Sequence, residues 1–153
     1  MLMNELKYSD VDIRALLKRH DIKPTSQRID IARLLLQRQT HLSAEDIYKM
    51  VNTDKPGTRP GRQRSPKQRV SKATVYNTLG LFAEKGLVRE VIADPNKIFY
   101  DPNTAPHHHF YDVTTGALTD IDAGAVEVTG LPPLPEGTSL EGVDVVVRLR
   151  QSS

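Results

Sequence analysis

The residue pattern predicts an α+β chain in two parts. A helical first half closes with a hairpin, in the order of a winged helix-turn-helix, and a small sheet-rich α/β unit follows. Three observations carry this. Helical periodicity fills residues 9–86 apart from one polar stretch. Alternating, β-branched segments fill much of the remainder. The charge also changes sign along the chain: residues 1–93 hold 18 Lys and Arg against 10 Asp and Glu, whereas residues 94–153 hold 3 against 9. The formal net charge of +2 therefore hides a basic front of +8 and an acidic back of −6. A polyanion-binding module joined to a unit with another task fits that split, and so does a solvated basic face.

Ser9 is placed to cap a first helix through about Arg19, with Asp12 completing a capping box and Ile13, Leu16 and Leu17 apolar. Thr25, after Pro24, caps a second, in which Ile29, Ala32 and Leu36 form one stripe and Ile31 and Leu35 broaden it. Ser43 and Asp46 open a third that carries Ile47, Tyr48 and Val51. Residues 54–69 hold three prolines, two glycines, six cations and one acid. With nothing apolar to bury, they read as a basic loop inserted in the first domain, either an inert linker or a phosphate-tracking arm. Ser71 caps a fourth helix with Val75, Leu79 and Phe82 at helical spacing, and Gly86 stops it. Residues 87–93 and 97–101 flank the turn Asp94-Pro95-Asn96 as two strands. The first domain is thus placed at 1–101 and the second at 102–153.

In the second domain, His109–Val113 and Ala117–Ile121 read as a hairpin around Thr114-Thr115-Gly116. A short helix is expected near 123–128, a proline-rich connector at 131–137, and a strand at Val143–Leu149. About 50 residues with so few strands bury little core alone, so a homodimer is expected.

The composition excludes several classes. There is no cysteine, which removes disulfides, thiolate catalysis and Cys-bound structural zinc. No run of 18 apolar residues occurs and the N-terminus lacks a signal-peptide pattern, so the expectation is a cytoplasmic protein without a membrane partner. Any metal must be held by histidine and carboxylate.

On the fourth helix, Val75 and Leu79 point inward and leave Lys72, Ala73, Thr74, Tyr76 and Asn77 facing outward. That is the composition of a DNA-recognition helix: Lys72 for phosphate or guanine, Asn77 for adenine, and the Ala73 or Thr74 methyl for thymine. An ordinary amphipathic surface helix is the alternative. Farther on, His107 and His109 share one face of a strand while His108 takes the other. Asp101 ends the preceding strand and Asp120 lies in the hairpin partner. Paired imidazoles with carboxylates suit Fe2+, Mn2+ or Zn2+; a surface histidine triplet is the alternative. The same donors would serve a mononuclear His/Asp metalloenzyme or a metal-buffering dimer.

Four stretches, Ile22-Lys23-Pro24-Thr25-Ser26-Gln27-Arg28, His41-Leu42-Ser43-Ala44-Glu45-Asp46-Ile47-Tyr48, Ala73-Thr74-Val75-Tyr76-Asn77-Thr78-Leu79 and His107-His108-His109, together resemble the ferric uptake regulator family over about residues 20–122. The resemblance implies a cytoplasmic, dimeric transcription regulator, usually a repressor and not an enzyme, that binds a palindromic double-stranded DNA operator when a divalent metal is bound. It implies Lys23, Arg28 and Tyr76 as DNA contacts, and His41, Asp101, His107, His109 and Asp120 as ligands of one metal per chain, Fe2+ or Mn2+ in function and Zn2+ as isolated. Most members also hold a structural zinc through two Cys-x-x-Cys pairs. Here Asp112 and Thr115 occupy the first pair. His108 and Glu127 match two ligands of a second metal site, but Pro106 replaces a third. The cysteine-free pattern with His107-His108-His109-Phe110 and Val143 to Leu149 is most similar to the iron response regulator branch, which implies haem as a further ligand of the histidine stretch.

Overall fold

The computed structural model describes residues 8–37, 41–53 and 69–152. The basic insertion expected at 54–69 lies outside the described residues except for Arg69. The chain divides into two compact units, Met1–Thr104 and Ala105–Ser153. The divide falls three residues beyond the sequence-based boundary, where Asn103 N–H donates to Asp101 Oδ1 at 2.9 Å and keeps this stretch with the first unit.

The first unit contains helices α1 (Asp10–Arg19), α2 (Ser26–Gln37), α3 (Ala44–Thr53) and α4 (Lys72–Glu84). Its strands are β1 (Leu42–Ser43), β2 (Arg89–Asp94) and β3 (Lys97–Asp101), forming an antiparallel sheet in the order β1-β3-β2. Side chains that satisfy free backbone groups fix the helix starts. Ser9 Oγ accepts from Asp12 N–H at 3.2 Å while Asp12 Oδ2 accepts from Ser9 N–H at 3.0 Å. Ser43 and Asp46 repeat that reciprocal box at 3.2 and 3.1 Å. Ser71 Oγ accepts from Thr74 N–H at 3.1 Å and starts α4. At the other end of α4, Gly86 takes φ +75°, a conformation open to glycine at little cost.

The helices meet over one core in which Ile13, Leu17, Ile31, Ile47, Leu79 and Phe82 are fully buried. On α2, Ile29, Ile31, Ala32 and Leu35 are buried as the broadened stripe predicts, while Leu36 is only partly so. Strand β1 escapes a sequence reading because two residues cannot display a period of two.

One side chain joins the described residues on either side of the basic insertion. Asn52 Nδ2 donates to the Val70 carbonyl at 3.0 Å and Asn52 Oδ1 accepts from Val70 N–H at 2.8 Å. Both residues are buried. This two-point amide pair joins the end of α3 to the residue before the α4 cap, whatever length of chain lies between. Arg69 sits beside it, donating to Tyr48 Oη at 3.3 Å with its guanidinium 5.8 Å from the Tyr48 ring centroid.

The second unit is a three-stranded sheet of order β5-β4-β6, built from β4 (His108–Asp112), β5 (Leu118–Ile121) and β6 (Val146–Leu149). β4 pairs antiparallel with β5 and parallel with β6. β4 has the predicted length but lies one residue earlier, β5 is one residue shorter than the sequence predicts and β6 three residues shorter. β6 begins at Val146 because Val145 N–H is taken by the His108 ring and not by a ladder carbonyl. The expected helix at 123–128 is corrected to a 3-10 turn, Ala123–Ala125. Gly124 at its centre and β-branched Val126 and Val128 after it disfavour helix, and Asp122 makes no side-chain cap.

Asn52→Ala is expected to lower the unfolding free energy by about 2 kcal/mol, because two buried main-chain groups of Val70 lose their partner. Urea denaturation would show this against Thr53→Ala, a partly exposed neighbour expected to change stability by less than about 0.5 kcal/mol.

Candidate metal centre and nucleic-acid face

Strand pairing builds two histidine–carboxylate arrangements, one in each unit. In the first, Leu42 pairs with Tyr100 and Ser43 with Phe99. Continuing that antiparallel register by one residue sets His41 opposite Asp101. Their side chains meet, His41 Nε2 to Asp101 Oδ2 at 2.9 Å, and both are almost fully buried. The second carboxylate oxygen is already engaged by Asn103 N–H. Asp101 is therefore oriented by the main chain and offers Oδ2 to the imidazole.

In the second unit, His109 is the cross-strand partner of Asp120. His107 lies two residues earlier and reaches the same carboxylate. Asp120 Oδ1 stands 3.2 Å from His107 Nε2 and 3.3 Å from His109 Nε2, and the two rings meet edge to face with centroids 4.5 Å apart. Both imidazoles are buried, whereas the Asp120 side chain is half exposed. His107 Nδ1–H donates to the Ala105 carbonyl at 2.7 Å. That bond places a proton on Nδ1 and turns Nε2 towards Asp120, as in a metal-ligating histidine whose outer nitrogen is hydrogen-bonded to a carbonyl.

These donors fit a divalent ion. Neighbouring ligand atoms around a metal at about 2.1 Å lie about 3.0–3.4 Å apart, and the Nε2 to Oδ1 separations fall in that range. The donor set is imidazole and carboxylate without sulfur, which suits Fe2+, Mn2+ or Zn2+. The structure thus brings His41 to Asp101, and His107 and His109 to Asp120. His108 lies on the opposite face of β4 from His109, with Nδ1 accepting from Val145 N–H at 3.0 Å. Glu127 is exposed in irregular chain beyond the 3-10 turn. Sequence reasoning missed the Val145 contact, since only the parallel return of β6 creates it.

On α4, Lys72, Ala73, Tyr76 and Asn77 are exposed while Val75, Thr78, Leu79 and Phe82 are buried. The outward face predicted for this helix is therefore present, with Tyr76 at 42% exposure. Thr74 is partly buried and its hydroxyl accepts from Ser71 Oγ–H at 2.8 Å, so it also serves the cap. Lys23 is exposed between α1 and α2. Arg28 donates from Nη1 to the Lys23 carbonyl at 3.0 Å, which ties the first turn of α2 to the loop that presents Lys23.

On β3, burial pushes the Tyr100 hydroxyl above the ordinary tyrosine value, with smaller contributions from Glu90 and Tyr76.

Residues 19–131 match the ferric uptake regulator family. The peroxide-responsive repressor PerR of Staphylococcus aureus (strain Mu50 / ATCC 700699) is 31% identical over 106 residues, which are 69% of this chain and 64% of that protein. The match therefore spans under two thirds of the relative's length. Among solved structures, the ferric uptake regulator of Pseudomonas aeruginosa with manganese is similar at a TM-score of 0.61 and 24% identity, covering 92% of this chain and 98% of that one. The Vibrio cholerae ferric uptake regulator gives 0.63 at 19% identity, covering 92% and 100%. At these identities the likeness shows the fold: an N-terminal winged helix followed by a small second domain.

The Tyr100 shift has a definite sign. The unfolded chain ionises this hydroxyl near pH 10 and the folded chain resists, so the associated stability is present below about pH 10 and lost as pH rises through the folded value. Thermal unfolding from pH 8 to 11 is expected to show a smaller alkaline loss of Tm for Tyr100→Phe than for the unaltered chain.

Proposed function

The chain belongs to the ferric uptake regulator family, and from that premise we propose that it is a homodimeric, metal-responsive transcriptional regulator, a repressor of metal-homeostasis genes acting on a palindromic operator. In this reading one divalent ion per chain is held by His41, Asp101, His107, His109 and Asp120. The observation that carries it is the preparation of the ligands: Asp101 is oriented by Asn103 N–H and His107 by the Ala105 carbonyl. Such outer contacts are what tune metal ligands.

His41 and Asp101 belong to the first unit, and the other three to the second, with five residues of chain separating Asp101 from His107. Supplying all five ligands together requires one setting of the units, and metal occupancy selects it. A 100-fold preference of the metal for the DNA-competent setting corresponds to about 2.7 kcal/mol of coupling. Lys72, Ala73, Thr74, Tyr76 and Asn77 would then enter the major groove, with Lys23 and Arg28 holding the flanking backbone or minor groove.

The partner is a second copy of the chain. Phe110, Val113, Val128, Leu131, Leu134, Leu140 and Leu149 of the second unit are all exposed by more than a third. A surface so rich in large apolar side chains on 49 residues is more than a monomer ordinarily leaves in water. Within the family, the cysteine-free pattern favours the iron response regulator branch, and we take Fe2+ as the first candidate ion, with Mn2+ next. Haem at the histidine stretch is less well supported, because His107 and His109 are turned to Asp120 and His108 to Val145. Family membership likewise favours regulation over the metalloenzyme and metal-buffering readings.

The test is binding to a palindromic duplex selected from random sequence. With Mn2+ bound, Lys72→Ala and Tyr76→Ala are each expected to weaken binding about tenfold or more, and Lys72→Ala to reduce the salt slope by about one. Neither should change the number of Mn2+ ions bound per chain. Equal affinity with Mn2+ and with excess chelator would overturn the metal-responsive reading.

A further inference from the structure

We infer that His108 is a positioning residue and not a metal or haem ligand: it braces the ligand strand β4 against β6, and so holds His107 and His109 on the opposite face. The inference rests on the metal-binding reading above and concerns how that ligand pair is kept in place.

Three consecutive histidines are used in two opposite ways. His107 donates from Nδ1 to Ala105, which leaves Nε2 as the nitrogen facing Asp120. At His108 the situation is reversed. The donor there is the Val145 backbone N–H, so Nδ1 must carry the lone pair and the neutral ring keeps its proton on Nε2. A ring protonated at Nε2 has no electron pair there for a metal. Moving the proton to Nδ1 would set two N–H donors against each other at 3.0 Å. Ligation by His108 therefore requires breaking its bond to Val145.

That bond sits at one end of the four-residue parallel pairing of β4 with β6. β6 is a four-residue edge strand, partly exposed at Val146 and Val147 and exposed at Arg148 and Leu149. At its start, His109 N–H donates to the Val145 carbonyl at 3.1 Å, so the His108 ring and the His109 backbone grip the two sides of one residue. At its end, Val113 N–H donates to the Leu149 carbonyl, and Gln151 Nε2–H donates to Asp112 Oδ2 at 2.5 Å. Gln151 N–H also reaches Thr114 Oγ1 at 3.1 Å. Side chains at both ends of β4 thus fasten β6 in register. Alternation along the strand then leaves His107 and His109 no face but that of Asp120.

The experiment compares His108→Asn with His108→Ala in the full chain, measuring Mn2+ affinity by competition with a fluorescent chelator. Asn carries Oδ1 where His carries Nδ1 and preserves the acceptor. His108→Ala is expected to weaken Mn2+ binding about tenfold or more, as loss of an outer contact does, with His108→Asn within about threefold of the unaltered chain. Gln151→Ala, at an exposed position, is expected to weaken binding in the same direction by a smaller factor with no loss of a bound ion. Equal loss in the Asn and Ala variants would make His108 a ligand and overturn the brace. Unchanged affinity in His108→Ala would overturn it as well. His109→Ala separates the two levels: retained Mn2+ binding there would remove the ligand assignment itself, whatever His108 does.

Discussion

A carboxylate or imidazole taken out of water needs a partner, and in a sheet only the residue opposite or its same-face neighbour is near enough to serve. Asp101 and His109 are both buried at the 3% exposure level. Each is satisfied across one antiparallel pairing, β3 with the approach to β1 and β4 with β5. The remainder of each unit can be understood as what holds those registers. A one-residue slip in either pairing would carry a charged group to the wrong face.

In the first unit that support comes from the helical core. β1 leads directly into α3, and Ser43 is at once a strand residue paired with Phe99 and the cap of the helix. The position of His41 is therefore tied to Ile47 and Val51 in the core, and through Asn52 to the start of α4. The helix proposed to read DNA and the strand that carries a proposed ligand share one packing unit. In the second unit the apolar core is slight, with Tyr111, Leu118 and Ile121 its buried apolar side chains among the described residues. Hydrogen bonds from His108, Asp112 and Gln151 do much of the work there. The Gln151 contact holds the Asp112 carboxyl below the usual carboxylate range, so this fastening persists to low pH. It joins the hairpin turn to the C-terminal strand without a metal.

Much of this was legible in the sequence. The helix caps Ser9, Ser43 and Ser71 are encoded in adjacent residues, so each start could be read to within one residue. The hairpin ending at Asp101 and the place of Asp120 in the strand that partners His109 followed from turn residues and a period of two, whereas the register that sets the two opposite each other comes from the structure. What stayed hidden depends on distant partners. β1 is visible only once β3 is beside it. The Asn52 to Val70 pair spans an insertion with no pattern of its own. The parallel return of β6 sets what His108 meets; alternation along the strand puts that histidine on the other face but gives no partner for it. The helix expected after Asp122 failed where glycine and β-branched residues outweighed a weak apolar spacing.

The central claim is that one ion draws His41 and Asp101 from the first unit and His107, His109 and Asp120 from the second. X-ray absorption at the manganese edge of the Mn2+-loaded chain tests it most directly, by counting imidazoles in the coordination shell. The account predicts three, falling to two in His41→Ala. Two imidazoles in the unaltered chain, unchanged by that substitution, would contradict it.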